Sequence, residues 1–139
     1  MIIFSVDYGD ARTGMAVCDK NEILSSPLGV ISESWAPKVI KALNKKIKDS
    51  GAQLIVVGNP INMDGTRGER SVKCAEFASQ LEKESGVPVV LWDERLTTVS
   101  AHKALNTVDV RGTKRKNIVD AVSAVMILDD YISYRKNNK

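Results

Sequence analysis

Residues 1–18, MIIFSVDYGDARTGMAVC, decide how the rest of the chain is read. Ile2, Phe4 and Val6 alternate with Ile3, Ser5 and Asp7, which is the two-residue period of a strand. Tyr8-Gly9-Asp10-Ala11-Arg12-Thr13-Gly14 forms a glycine-bracketed turn, and Met15-Ala16-Val17-Cys18 resumes the apolar pattern. Strand, turn and strand read as a β-hairpin. Asp7 is the anomaly in it. Aspartate has poor strand propensity, and a carboxylate in an apolar run costs free energy unless a metal ion or an arginine neutralises it. An aspartate that caps the turn explains the same residue, and the hairpin alone leaves both readings open.

Working outward, Lys20-Asn21-Glu22 is a polar turn, and a third extended stretch runs from Ile23 to Ile31. Pro27 within it predicts an edge strand, where a missing N–H does little harm. Ser34 is the expected N-cap of a helix from Trp35 to about Ser50, with Pro37 in its first turn. Val39, Ile40, Leu43 and Ile47 make its apolar stripe, Lys38, Lys41, Lys45, Lys46 and Lys48 a solvated face, and Gly51 its end. Leu54-Ile55-Val56-Val57 reads as a buried parallel strand stopped by Gly58-Asn59-Pro60. A loop from Ile61 to Gly68 leads to a helix over about Glu69–Ser85, with Cys74, Phe77, Ala78 and Leu81 facing inward. Pro88 to Trp92 is a further buried strand running into Asp93-Glu94-Arg95. A short helix capped by Thr97 or Thr98 reaches Leu105, and Asn106 to Lys116 form a polar linker. The last helix is expected from Asn117 to about Tyr134, with a frayed tail from Arg135 to Lys139. Three antiparallel strands followed by two strands reached through helices predict an α/β fold. Its sheet has five strands and is mixed, with helices on both faces.

A chain of 139 residues with 43% hydrophobic and 27% charged residues is expected to form one domain over 1–139. Its net charge of +3 permits a polyanionic partner without requiring one. Cys18 and Cys74 show no ligand spacing, so they read as small apolar residues of a reducing compartment rather than zinc ligands. No basic leader with a following apolar segment opens the sequence, and no apolar run approaches the ~18 residues of a spanning helix. The expected setting is the cytoplasm, with no membrane partner.

The carboxylates fall where chemistry gathers. Asp7 ends the first strand, and Asp93 and Glu94 end the last. Asp120 shares a helix line with Ala124, Ile127 and Tyr131, a mostly apolar direction. Sites in open sheets collect beyond the carboxyl ends of parallel strands, so Asp7, Glu94 and Asp120 can converge there. Together they repel, and Mg²⁺ or Mn²⁺, which prefer oxygen ligands, relieves that repulsion. Two such ions are a known device for phosphodiester cleavage. Asp10 and Asp64 read as turn caps, surface charges or partners in ordinary salt bridges, and Asp93 is left open between backing the site and capping the next helix. Arg12, Arg67, Arg70, Arg95, Lys114, Arg115 and Lys116 lie in loops around this cluster and are candidates for holding nucleic-acid phosphates. A solvated loop explains the 111–116 run nearly as well. His102 reads as a surface or partly packed residue. Trp35, Trp92 and the tyrosines read as core or its border rather than base-stacking platforms.

VDYGDARTGMAV, VVGNPINMDGT, WDERLTT and the final IVDAVSAVMIL together resemble the YqgF (RuvX) family of small bacterial proteins, in order and across essentially the whole chain. WDERLTT is the most specific of the four, because actin-like ATPases and sugar kinases share a similar hairpin. The resemblance implies an RNase H-like fold and a nuclease acting on pre-16S rRNA or on Holliday junctions. It matches Asp7, Glu94 and Asp120 to the family's acidic residues. Asn59 stands where the family usually has leucine and Ser123 where it usually has alanine, and neither touches a carboxylate. The first reading is therefore a metal-dependent nuclease for the 5′ end of pre-16S rRNA, a structured RNA, in ribosome biogenesis. The second is a resolvase of branched DNA, which needs two sites and so a homodimer rather than a monomer. The third is a non-catalytic nucleic-acid-binding protein, which would have no need of three converging carboxylates. An actin-like ATPase, which needs two such domains, fits 139 residues poorly.

Overall fold

A computed structural model describes residues 1–60, 68–93 and 112–137, with the side chains of 112–120 excepted. In chain order the elements are β1 (Ile3–Tyr8), β2 (Thr13–Cys18), β3 (Ser25–Ile31), α1 (Ala36–Ser50), β4 (Leu54–Asn59), α2 (Glu69–Ser85), β5 (Val89–Asp93) and α3 (Gly112–Asn137). The five strands form one mixed sheet in the order β3-β2-β1-β4-β5. β1 pairs antiparallel with β2, and β2 with β3, while β1–β4 and β4–β5 are parallel. The mixed α/β sheet expected from the sequence is thus the one observed, with Pro27 on the edge strand β3.

β1 lies in the middle and is covered on both faces. Phe4 and Val6 pack with Val39, Ile40 and Leu43 of α1 and Phe77 and Leu81 of α2. Ile3, Val56 and Trp92 pack on the other face with Ala124, Ile127, Leu128 and Tyr131 of α3. Where α3 crosses β1 the strand carries Ser5, whose Oγ donates 2.6 Å to the Ala124 carbonyl. The buried hydroxyl is thereby satisfied.

Several boundaries differ from expectation. Ile23 and Leu24 are not in β3. They are exposed in the preceding turn, where the Asp19 carboxylate accepts both of their N–H groups at 2.7 and 2.9 Å, so a side-chain acceptor replaces a strand partner. These hydrogen bonds hold the Asp19 carboxyl below its usual range. α1 is capped by Trp35 without a side-chain bond. Ser34 instead donates its own N–H to Glu33, as Trp35 also does. Trp35 is 59% exposed and does not belong to the core. α3 begins at Gly112 rather than Asn117, because the Lys and Arg residues of the expected linker are good helix formers. The expected frayed tail is helical to Asn137, and Arg135 within it is bonded to Glu22 at 2.9 Å. The loop 61–67, Glu94, Arg95, the short helix with His102 and the start of the linker lie outside the described residues.

Glu22 fastens the β2–β3 turn to the last turn of α3. Its carboxylate receives Arg135 at 2.9 Å and the Met1 ammonium at 3.1 Å. The Arg135 hydrogen bond is the main cause holding the Glu22 carboxyl below its ordinary value, against its partial burial. A depressed folded pKa gives stability that is full above the unfolded value, about 4.3, and is lost as pH falls through the folded one. Glu22→Gln should therefore lower the urea midpoint at pH 7, and the gap from the unaltered protein should close as the pH is taken below the normal glutamate range.

Candidate functional site

The parallel arrangement of β1, β4 and β5 brings their carboxyl ends to one edge. Val6 pairs with Val57, and Gly58 with Trp92, so Asp7 falls in the row that continues through Gly58 to Trp92. Strand alternation puts Asp7 on the α3 face, following Ile3 and Ser5. Gly58 follows Val56 on that same face and contributes no side chain to it. Two strand spacings, about 9.6 Å, separate β1 from β5, and on the α3 face the row between them runs from the half-buried Asp7 through the buried Gly58 to the buried Trp92.

The direction of α3 brings its N-terminal half to Asp7. Arg135 sits at the β2–β3 turn, beside the start of β1, and Ala124 sits at Ser5. α3 therefore runs opposite to β1. Two residues along β1 from Ser5 to Asp7 is about 6.6 Å. Four residues back along α3 from Ala124 to Asp120 is about 6 Å. The part of α3 before Ala124, which carries Asp120, therefore extends towards the carboxyl end of β1, where Asp7 stands. Glu94 is one residue past the end of β5 and lies outside the described residues. Among the described residues no group of three potential metal ligands occurs.

Asp93 faces the other way. It pairs with Asn59, which shares the α2 face with Ile55 and Val57, so the strand period directs Asp93 to the α2 side of the sheet and away from Asp7. Asn59 is buried there and accepts 2.8 Å from the hydroxyl of Ser71, in the first turn of α2. This bond, which the sequence reading missed, ties the end of β4 to α2. Its signal was the substitution itself: a buried amide where the family carries leucine needs a partner.

The hairpin turn between β1 and β2 is tightly held. A Cβ at Gly9 would lie 2.2 Å from the Arg12 carbonyl oxygen, which leaves room for glycine only. The Tyr8 ring stacks on Phe77 with centroids 3.9 Å apart and planes 8° from parallel. Burial raises the Tyr8 phenol above its usual value, opposed by the nearby Arg70. Arg70 itself pairs with Asp10 at 2.8 Å and donates a second N–H to the Tyr8 carbonyl. Of the ordinary roles expected for Asp10, the salt bridge is the one observed, and Arg70, expected among the phosphate-holding cations, is engaged within the protein. Arg12 is half-exposed in the same turn. The side chains of Lys114, Arg115 and Lys116, and all of Arg67 and Arg95, lie outside the described residues. A groove of about 640 Å³ lies between α1 and α2, lined by Tyr8, Pro37, Ile40, Lys41, Asn44 and Phe77, on the face of the sheet opposite Asp7.

Comparison with known proteins places this geometry. The RuvX family, described as Holliday junction resolvase, matches residues 1–134. A protein of Ruminiclostridium cellulolyticum named "Putative pre-16S rRNA nuclease" is 39% identical over 140 residues, covering 100% of this chain and 99% of its own. One of Desulfitobacterium hafniense with the same name is 40% identical over 134 residues, covering 96% and 93%. Among solved structures, RuvC of Thermus thermophilus in complex with a Holliday junction substrate superposes with a TM-score of 0.60 at 13% identity over 96% of each chain. The fowlpox virus Holliday junction resolvase gives 0.54 at 14% identity over 99% of each. At these identities the likeness carries the fold, an RNase H-like one.

The Gly9 contact yields a direct test. Gly9→Ala must displace backbone rather than a flexible side chain, at a cost of about 1–3 kcal/mol. Thermal unfolding should show a lowered midpoint, whereas Gly86→Ala, where a Cβ meets nothing within 4 Å and only the positive φ of 71° is strained, should cost less.

Proposed function

The chain belongs to the RuvX family, and from that premise we propose that it is a single-domain, metal-dependent nuclease, acting in the cytoplasm at the 5′ end of pre-16S rRNA. The observation that carries the reading is that Asp7, at the end of β1 on the α3 face, and the N-terminal half of α3, which carries Asp120, both lie towards the carboxyl edge of the parallel strands. Relatives of nearly equal length at 36–40% identity carry the pre-16S rRNA nuclease name, which favours RNA over DNA.

In this reading Asp7, Glu94 and Asp120 hold Mg²⁺ or Mn²⁺. The donor set is all oxygen, which suits these hard cations. A divalent ion held there supplies Lewis acidity towards the scissile phosphate and lowers the pKa of water. The strand period, which directs Asp7 to the α3 face, and the run of α3 towards that end of the sheet support this ligand set. Arg12, Arg67, Arg95, Lys114, Arg115 and Lys116 bind the phosphates that flank the scissile bond and set the register of the strand.

A second reading keeps the chemistry and changes the substrate to branched DNA. The description of the family and the fold shared with two junction resolvases favour it. It requires a dimer with two sites, since a resolvase cuts two strands symmetrically.

Cleavage of a labelled pre-16S 5′ leader and a four-way DNA junction, with Mg²⁺ or Mn²⁺, separates these readings. Cutting of the RNA alone, abolished by Asp7→Asn and by Glu94→Gln, is the expected result. Paired symmetric cuts in the junction would move the assignment to the resolvase. Retained binding with no cleavage of either substrate by the unaltered protein would leave only a nucleic-acid-binding function.

A further inference from the structure

We propose that Arg70 is a positioning residue that sets the end of β1, and through it the Asp7 carboxylate, rather than a phosphate-binding cation. The role rests on the reading of Asp7 as a catalytic ligand. Four observations lead to it.

Arg70 spends its guanidinium inside the protein. One terminal nitrogen pairs with the Asp10 carboxylate at 2.8 Å, and the other donates to the Tyr8 carbonyl. These acceptors flank Gly9, so one planar fork spans the turn that follows β1. A planar fork holds both acceptors in one fixed geometry, which the rotatable donors of an ammonium on a flexible stem do not.

Arg70 also lies 6.0 Å from the centroid of the Tyr8 ring, whose face stacks on Phe77. Phe77 is seven residues further along α2, two helical turns on the same side. One face of α2 thus grips Tyr8 twice, by its ring and by its carbonyl. Tyr8 follows Asp7 directly, and the strand alternation sends their side chains to opposite faces. Holding Tyr8 from the α2 side therefore orients Asp7 towards the α3 side.

The location of Arg70 in α2 also calls for explanation. It is the second residue of the helix, after the N-cap Gly68 and Glu69. A cation in a first turn opposes the helix dipole. A solvated arginine gains nothing there, whereas one that pins the neighbouring hairpin is offset by its two bonds.

Exposure agrees with this. The Arg70 side chain is 37% exposed although it carries a full charge at the protein surface. Asp10, its ion-pair partner, is 78% exposed, so the pair alone contributes little stability. The carbonyl bond and the ring contact make the position matter.

Three measurements on the full chain test the proposal in Arg70→Ala, Arg70→Lys and Asp10→Asn. The first is amide hydrogen exchange across residues 8–14. The second is kcat and KM for the cleaved substrate. The third is the salt dependence of nucleic-acid binding. In the expected result, Arg70→Ala speeds exchange in the hairpin about tenfold or more while the α1 amides stay protected. Its kcat falls about 10- to 100-fold, the range seen when a supporting partner of a metal ligand is lost. KM and the salt slope stay unchanged. Arg70→Lys keeps the charge but not the fork and behaves like Arg70→Ala. Asp10→Asn, on the exposed turn, keeps an acceptor but removes the charge of one arm and gives a smaller fall in kcat.

A phosphate-binding Arg70 gives the opposite pattern and would overturn the proposal. KM rises, kcat holds, and the slope of log affinity against log salt falls by about 0.7–0.9, the loss of one phosphate contact. Arg70→Lys is then close to the unaltered protein, and Asp10→Asn, which frees the cation, tightens binding. Unchanged hairpin exchange in Arg70→Ala also overturns it. If the unaltered protein cleaves nothing while exchange in Arg70→Ala accelerates, the clamp stands and the nuclease reading fails by itself.

Discussion

α3 reaches the centre of the sheet because the residue at its crossing is serine. Ser5 is small enough for the helix backbone to approach, and its hydroxyl needs an acceptor once buried. The Ala124 carbonyl supplies that acceptor at 2.6 Å. With this contact made, Ile127, Leu128 and Tyr131 settle against Ile3, Val56 and Trp92. Trp92 meets Tyr131 edge-on at 5.8 Å and Tyr134 at 5.5 Å, a preferred aromatic geometry. The Glu22–Arg135 pair then holds the far end of the helix. Two points of attachment determine a line, so the direction in which α3 crosses the sheet follows from Ser5 and Glu22 rather than from Asp7 or Asp120.

The two faces of the sheet divide the work. On the α1 and α2 face, several side chains are held by one another: Phe77 against Tyr8, Ser71 to Asn59, Arg70 to Asp10. This face makes the strand ends stiff. On the α3 face, the row at the carboxyl edge contains an aspartate, a glycine and a tryptophan. A carboxylate has a low cost there only if it stays partly hydrated or meets a cation, and Asp7 is neither buried nor fully exposed. The stiff face thus supports the polar one, which is the arrangement a positioned ligand needs.

The positive charge of the chain is distributed on the same principle. Lys38, Lys41, Lys45, Lys46 and Lys48 are exposed along α1, off its buried stripe of Val39, Ile40, Leu43 and Ile47. They solvate a helix. Arg70 and Arg135 close internal contacts at the two ends of β1. A net charge of +3 is therefore a poor guide to the number of cations left for a polyanion.

The sequence alone was enough for the strand order of events: the hairpin, the edge proline, the buried run Leu54–Val57 and the helix stripes all depend on neighbours within about ten residues. Each of these local patterns carries its own period, and α1, α2 and the mixed sheet form where those periods place them. The conspicuous position of Asp7 was legible for the same reason, as a charge that breaks an apolar alternation. Tertiary structure decided which face each strand-end residue serves. Asp93 pairs with Asn59 on the α2 face, and only the register of β4 against β5 determines that. It decided that Arg70 turns inward, because its acceptors at Tyr8 and Asp10 lie some sixty residues away in sequence. It also kept the last turn of α3 helical by giving Arg135 a partner at Glu22. A period identifies a face within one element, but pairing between distant elements depends on packing, and no local pattern encodes that.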